Sequence, residues 1–212
     1  MSGLRIAIIG PGNVGRALAG RFLDAGNEVV FGHRADADPS EAIASTGGRA
    51  TAAPSPEAVK GADLVVLTVP GTVAPDVAAS LGDLSGCIVV DATNPIRWDN
   101  GPVWSPPAAG SNAEAIAARL PGAAIVKGFN TFGAEFHADP NVGGRPLDVF
   151  VASDALEAKH LLAALSEPMG FRVIDAGPLR NASVLENTAV LWIHLAIAAG
   201  RGRDFAIMTV DR

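Results

Sequence analysis

The chain has 212 residues, 49% of them apolar and 18% charged, which fits one large folded domain or one domain with a small annex. A net charge of −6 argues against a nucleic-acid groove or an anionic membrane as partner, and the single Cys87 excludes internal disulfides and thiolate metal clusters. There is no tyrosine, so chemistry that needs a phenol as acid or base is excluded, including the Ser–Tyr–Lys mechanism of short-chain dehydrogenases.

Along the chain, strand and helix signals alternate. Leu4–Ile9 is an unbroken apolar run, the mark of a strand buried on both faces. A tight turn over Gly10–Gly15 follows, then apolar residues at helical spacing (Val14, Leu18, Phe22, Ala25) as far as Gly26. Glu28–Phe31 reads as a second strand. Asp38-Pro39-Ser40-Glu41 reads as a capping box that opens a helix ending at Gly47-Gly48. Ser55-Pro56-Glu57 opens another helix, stopped by Gly61. Leu64–Val69 is a strand, Val73–Leu81 a helix and Ile88–Asp91 a strand.

The proline-rich segment Asn94–Gly110 reads as a long ordered loop. Ser111 and Glu114 form a capping box for the next helix, and Ala123–Lys127 is the strand after it. Turn residues fill Asp139–Pro146. One more strand–helix–strand unit follows, with strands at Leu147–Ala152 and Phe171–Ile174. The chain closes on an apolar helix from about Leu179 to Ala199. Its charge-free stretch of about fourteen residues is short of the ~20 that a bilayer requires, so it is expected to be buried in the core or in a homodimer interface. This alternation predicts an α/β fold with a doubly wound, mostly parallel sheet of Rossmann type and a C-terminal helical extension. The expected division is a nucleotide-binding domain over 1–145 and a second unit over 146–212. The short apolar run at the N-terminus suggests no signal peptide, so a cytoplasmic protein is expected.

Gly10-Pro11-Gly12-Asn13-Val14-Gly15 is a G-x-G-x-x-G placed directly after a buried strand and opening a helix. In that context the first glycine permits the turn, the second lets the backbone approach a pyrophosphate and the third lets helix and strand pack closely. At the end of the second strand an NAD-binding chain usually places an acid for the ribose hydroxyls. Here the residues are His33 and Arg34, and a guanidinium forks onto a 2′-phosphate where a carboxylate would repel it. The cofactor expected is NADP. The loops after later strands, carrying Val69 and Pro70, then Thr93, Asn94 and Pro95, then Asn130, mix apolar walls with amides and suit a nicotinamide ring.

No catalytic acid or base is expected. His160 reads as a surface residue, His194 as a satisfied buried one, and His137 lies nearer the site without a convincing role. No spacing suggests a metal site. A cradle without a proton donor fits hydride transfer between two positioned rings, which needs orientation above all.

The stretches IAIIGPGNVGRALAGRFLDAGNEVVFGHR, DATNP, KGFNT and DAGPLRNASVLENTAVLWIHLA resemble the NADP oxidoreductases that depend on the deazaflavin coenzyme F420. The resemblance implies that Arg34 reads the 2′-phosphate, and that Asn94, Pro95, Asn130 and Thr131 border a pocket where nicotinamide faces a deazaflavin co-substrate. It implies that the 178–194 region helps to close that pocket and that C-terminal helices contribute to a dimer. The family commonly has Ser or Thr where this chain has His33. Two other readings stay open: NADPH-dependent reduction of a flavin, a ferric chelate or an imine, and an NADP-sensing module without turnover.

Overall fold

The computed structural model describes residues 3–210. Six short strands build the central sheet, all but the edge strand β3 buried on both faces over most of their length: β1 (Arg5–Ile9), β2 (Glu28–His33), β3 (Thr51–Pro54), β4 (Leu64–Leu67), β5 (Ile88–Asp91) and, after an excursion, β8 (Ala124–Lys127). Their order is β3-β2-β1-β4-β5-β8 and every pairing is parallel. In chain order this is the 3-2-1-4-5-6 arrangement of a doubly wound sheet, whose strand order reverses between β1 and β4. The helices α1 (Asn13–Asp24), α2 (Ser40–Ser45), α3 (Ser55–Ala58), α4 (Ala74–Ser80) and α5 (Asn112–Arg119) are the crossovers.

Two apolar cores lie on the two sides of the sheet, as strand alternation requires. Ile6, Ile8, Leu64 and Val66 face the side of α1, where Leu18 and Phe22 are buried. Ala7, Ile9, Val65 and Leu67 face the side of α4 and α5. The first of these cores continues into the C-terminal part of the chain through Leu147, Val149, Phe171 and Trp192.

The local signals hold with instructive exceptions. Ser111 caps α5 as expected: its Oγ accepts from the Glu114 amide at 3.2 Å and donates to the Glu114 carboxylate at 2.8 Å. At α2 the box does not close. Asp38 accepts from the backbone and hydroxyl of Ser40, while Glu41 turns away to Arg16. The edge strand β3 was not expected, because four residues of Thr-Ala-Ala-Pro carry no strand pattern. The segment read as a loop contains a hairpin, β6 (Ile96–Trp98) with β7 (Pro102–Trp104), turned at Asn100 and Gly101.

After the short α6 (Glu135–Ala138), the chain forms a second sheet of β9 (Asn141–Val142), β10 (Arg145–Val151) and β11 (Phe171–Asp175). The turn residues of 139–146 thus become a hairpin, with Gly143 and Gly144 both at positive φ. Helix α7 (Leu156–Ser166) crosses between β10 and β11, which run parallel. An antiparallel bridge between Lys127 and Ala152 joins this sheet to the edge of the first.

The last helical run is one turn of 3-10 helix at Leu179–Asn181, then α8 (Ala182–Ile193), then a π-helical stretch, His194–Ala198. It buries Leu185, Glu186, Ala189 and Trp192, while Val184, Leu191 and Ile197 are about half exposed. His194 is exposed as well, contrary to the expectation of a buried histidine; it follows α8 on a run whose neighbouring face is open. Among the described residues no helix is long and apolar enough to cross a membrane.

Beyond the helix, residues 205–208 pack on the first core and Thr209 bonds to Asp148. Asp148 is buried and also receives two bonds from Arg172, at 2.6 and 3.0 Å. Burial alone would raise this carboxyl, yet the bonds from Arg172 and Thr209 outweigh it and hold the group below the ordinary carboxylate range. A carboxylate whose pKa is depressed by folding stabilises the fold above its unfolded pKa, and that contribution fades as pH falls towards the folded value. Asp148→Asn should therefore lower the urea midpoint at neutral pH and flatten its decline in acid. Midpoints displaced equally at every pH would contradict this.

Candidate functional site

Because all six strands of the main sheet are parallel, their carboxyl ends lie along one edge. Every residue expected at the site is on that edge. Gly10–Gly15 follows β1, His33 and Arg34 end β2, Val69 and Pro70 follow β4, Thr93–Pro95 follow β5, and Asn130 follows β8.

At the glycine turn, Thr68 donates its hydroxyl to the Gly10 carbonyl at 2.7 Å, tying β4 to the turn. A Cβ on Gly15 would meet the Gly10 carbonyl oxygen at 2.4 Å, so only glycine lets α1 start this close to β1. A Cβ on Gly12 would meet nothing within 4 Å; it would enter the open space in front of the helix. Helix α1 has no acidic residue in its first turn, and its first amides have no helical acceptor. The Asn13 side chain accepts from Arg16 at 3.0 Å and lies along the helix. Open space, free amides and a positive helix end fit a pyrophosphate.

Arg34 is 85% exposed, and its near neighbour is Asp36 at 3.5 Å, which is almost as exposed. Such a pair is weak in water, so the guanidinium is free to take a phosphate. Asp38 accepts bonds from the amide and hydroxyl of Ser40, and those bonds hold its carboxyl below its ordinary value. His33 keeps one ring nitrogen 2.7 Å from the Arg34 carbonyl.

The later loops meet at a cavity of about 210 Å³. Asn94, Asn130 and Thr131 form one side, and Ala189, Trp192 and Ile193 of α8 form the other. The two asparagines are locked together: Asn94 donates to the Asn130 carbonyl and Asn130 donates to the Asn94 side chain, both at 2.9 Å. This leaves the Oδ1 of Asn130 buried without a partner, an acceptor suited to a carboxamide or ring N–H. The apolar wall and the orphan acceptor fit one flat heteroaromatic ring. Val69 and Pro70 lie on the neighbouring loop and do not line this cavity.

Beneath the loops lies a buried polar cluster that the sequence did not disclose. Lys127 has no exposed surface; its Nζ donates to Asp91 at 2.8 Å, to Glu186 of α8 at 2.9 Å and to the Thr93 carbonyl. Asp91 also accepts from the amide and hydroxyl of Thr93, at 2.9 and 2.6 Å. Glu186 also accepts from the Asn112 amide at 2.9 Å and the Trp104 indole at 3.0 Å. The Asn112 side chain then spans the Gly71 carbonyl and the Thr93 hydroxyl, both at 2.8 Å. So the side chain of Thr93 is turned inward, and this residue can offer a ligand little beyond its backbone. Gly71 and Asn94 pass so closely that a Cβ on Gly71 would lie 1.9 Å from the Asn94 carbonyl oxygen.

His137 is a buttress. It is buried, with Nε2 2.9 Å from the Phe129 carbonyl and Nδ1 3.3 Å from that of Gly133. Burial pushes its imidazole below the ordinary value, so it is neutral and its Nε2–H is held by Phe129. Phe129 is a buried non-glycine residue at φ 60, and its carbonyl is fixed by this bond just before Asn130.

Two substitutions separate binding from folding. Gly12→Ala should leave the thermal midpoint unchanged and weaken NADPH binding by about tenfold or more, because the methyl group occupies the open space alone. Arg34→Ala should reduce the preference for NADP over NAD by roughly ten- to a hundredfold, the scale of a charge-assisted phosphate contact of ~1.5–3 kcal/mol. An unchanged preference by titration calorimetry would overturn that assignment.

Residues 5–95 match the family model described as NADP oxidoreductase, coenzyme F420-dependent. The chain is 35% identical to the F420-dependent NADP reductase of Methanothermobacter thermautotrophicus, over 92% of this chain and 90% of that one. It is 30% identical to the rat metalloreductase STEAP3 over 86% of its own length, but spans only 36% of that longer protein. A crystal structure of a candidate F420-dependent NADP-reductase from Arthrobacter sp. FB24 superimposes with a TM-score of 0.83 at 31% identity, covering 98% of this chain and all of that one. The resemblance read from the glycine turn and the later loops is therefore general to the chain, which belongs to the family of coenzyme F420-dependent NADP oxidoreductases.

Proposed function

We propose that this enzyme passes hydride between NADPH and a deazaflavin of the coenzyme F420 type. The observation that carries the proposal is the cavity between the asparagine pair and α8. It is sized for one ring and carries one unpaired acceptor, and the nearby histidine is neutral and held in place. NADPH supplies a hydride from its dihydronicotinamide ring. The chain's part is to place the pyrophosphate on α1, the 2′-phosphate on Arg34 and the ring against Asn94 and Asn130. Trp192 and Ile193 then exclude water from the transfer, which needs no side-chain proton donor.

On this reading the unit over 146–212 completes the acceptor side of a site whose nucleotide half lies within 1–145. The protein works in the cytoplasm on a small-molecule acceptor. We further propose a homodimer built on Val184, Leu191 and Ile197, an apolar face on the outer side of the last helical run.

NADPH oxidation measured in parallel with a deazaflavin, a free flavin, a ferric chelate and a cyclic imine tests the acceptor. Turnover should be fastest with the deazaflavin. Faster turnover with the ferric chelate would move the function towards that of the metalloreductase relative, and tight NADPH binding with no turnover would leave only a sensor. Light scattering should give twice the chain mass, falling to one chain mass in Leu191→Glu.

A further inference from the structure

The cluster beneath the cavity holds two carboxylates and one ammonium, all without exposed surface. Each neighbour bonded to either carboxylate is a donor: Lys127 and the amide and hydroxyl of Thr93 for Asp91, and Lys127, the Asn112 amide and the Trp104 indole for Glu186. With only donors facing them, both groups are ionised, and the cluster carries one excess negative charge. Such a charge is costly to bury and acts over a long range there.

Its position is set from three directions. Asp91, Lys127 and Glu186 each stand three residues before a residue that lines the cavity, namely Asn94, Asn130 and Ala189. The cluster therefore underlies the cavity from β5, β8 and α8 together. The cation at the cavity wall, Arg203, does not cancel it, because Arg203 forms a two-pronged pair with Glu135 at 2.9 Å for each bond.

We infer that the Asp91–Lys127–Glu186 cluster is an electrostatic positioning device that favours the oxidised nicotinamide over the reduced one. Loss of hydride from the dihydronicotinamide carries away one hydrogen with both electrons of its C–H bond. A neutral ring becomes a cation, and the acceptor takes up the hydride. A fixed negative charge beneath the ring stabilises that cation, and the charge that develops on the way to it, without reorganising. The same bonds hold Thr93 and Asn112, so the loops that locate the ring and the charge that acts on it are one assembly. This inference rests on the cofactor and not on the acceptor, so it survives if the deazaflavin proves to be the wrong partner.

The test is the ratio of dissociation constants for NADP+ and NADPH, measured by titration on the whole chain. Glu186→Gln and Asp91→Asn each remove the excess charge. Each should weaken NADP+ relative to NADPH by about tenfold, the effect of one unit charge over ~12 Å at an effective dielectric of ~20. Trp104→Phe removes a bond to Glu186 and leaves the charge, so its ratio should match the wild type even if both affinities fall. The double variant Lys127→Met with Glu186→Gln removes one charge of each sign, keeps the excess, and should return the ratio to the wild-type value. A loosened loop would weaken both forms in parallel. Equal weakening in the charge-removing variants, or a ratio that moves equally in Trp104→Phe, would overturn the inference. Because each ratio is internal to one protein, partial loss of stability does not mimic the effect.

Discussion

A lysine with no route to water must satisfy three donors within the fold, and Lys127 does so with Asp91, Glu186 and the Thr93 carbonyl. Removing Lys127 would leave two carboxylates buried without a cation, so the cluster tolerates few alternative arrangements. It joins the ends of two adjacent sheet strands to a helix at the far end of the chain. It also fixes, through Thr93 and Asn112, the separation between the loops after β4 and β5. The asparagine pair stands directly above. The cavity thus lies over a buried ionic core, and its shape follows from bonds made outside its own lining.

The glycine turn is built on a different principle. Between Gly10 and Gly15 the chain supplies backbone, absent side chains and a helix terminus, and charge enters only through Arg34 at the rim. That division suits a cofactor with two parts. Phosphates require donors and room, whereas the ring requires a defined plane. The doubly wound sheet brings both to one edge because its strands all end there.

What could be read from the sequence was what lies close together in it. The glycine turn, its strand and its helix span residues 5–24, and the signals that mark them all lie within that window. The Ser111 cap is three residues wide and formed as expected. Edge strand β3 and the β6–β7 hairpin were not legible, because short segments containing alanine and proline gain strand structure from a neighbour and not from their own pattern. The ionic cluster was invisible for a stronger reason. Its members are separated by 36 and 59 positions, and a lone Lys, Asp or Glu carries no sign of burial. His194 reads as buried because its sequence neighbours are apolar, whereas the outer side of the last helical run is open. His137 reads from the sequence as near the site; its role depends on the Phe129 carbonyl, which only the fold brings to it.

The three tryptophans have unequal places in this arrangement. Trp98 lies exposed on the β6–β7 hairpin, Trp104 gives its indole N–H to Glu186, and Trp192 lines the cavity beside the asparagine pair while bonding to the Phe205 carbonyl. With no tyrosine in the chain, the protein's intrinsic emission comes almost wholly from these indoles. Two of the three are set in the walls and foundation of the site. The molecule therefore carries its own optical reporter, since light emitted by the whole chain is chiefly light from the neighbourhood of this cavity and the ionic cluster beneath it.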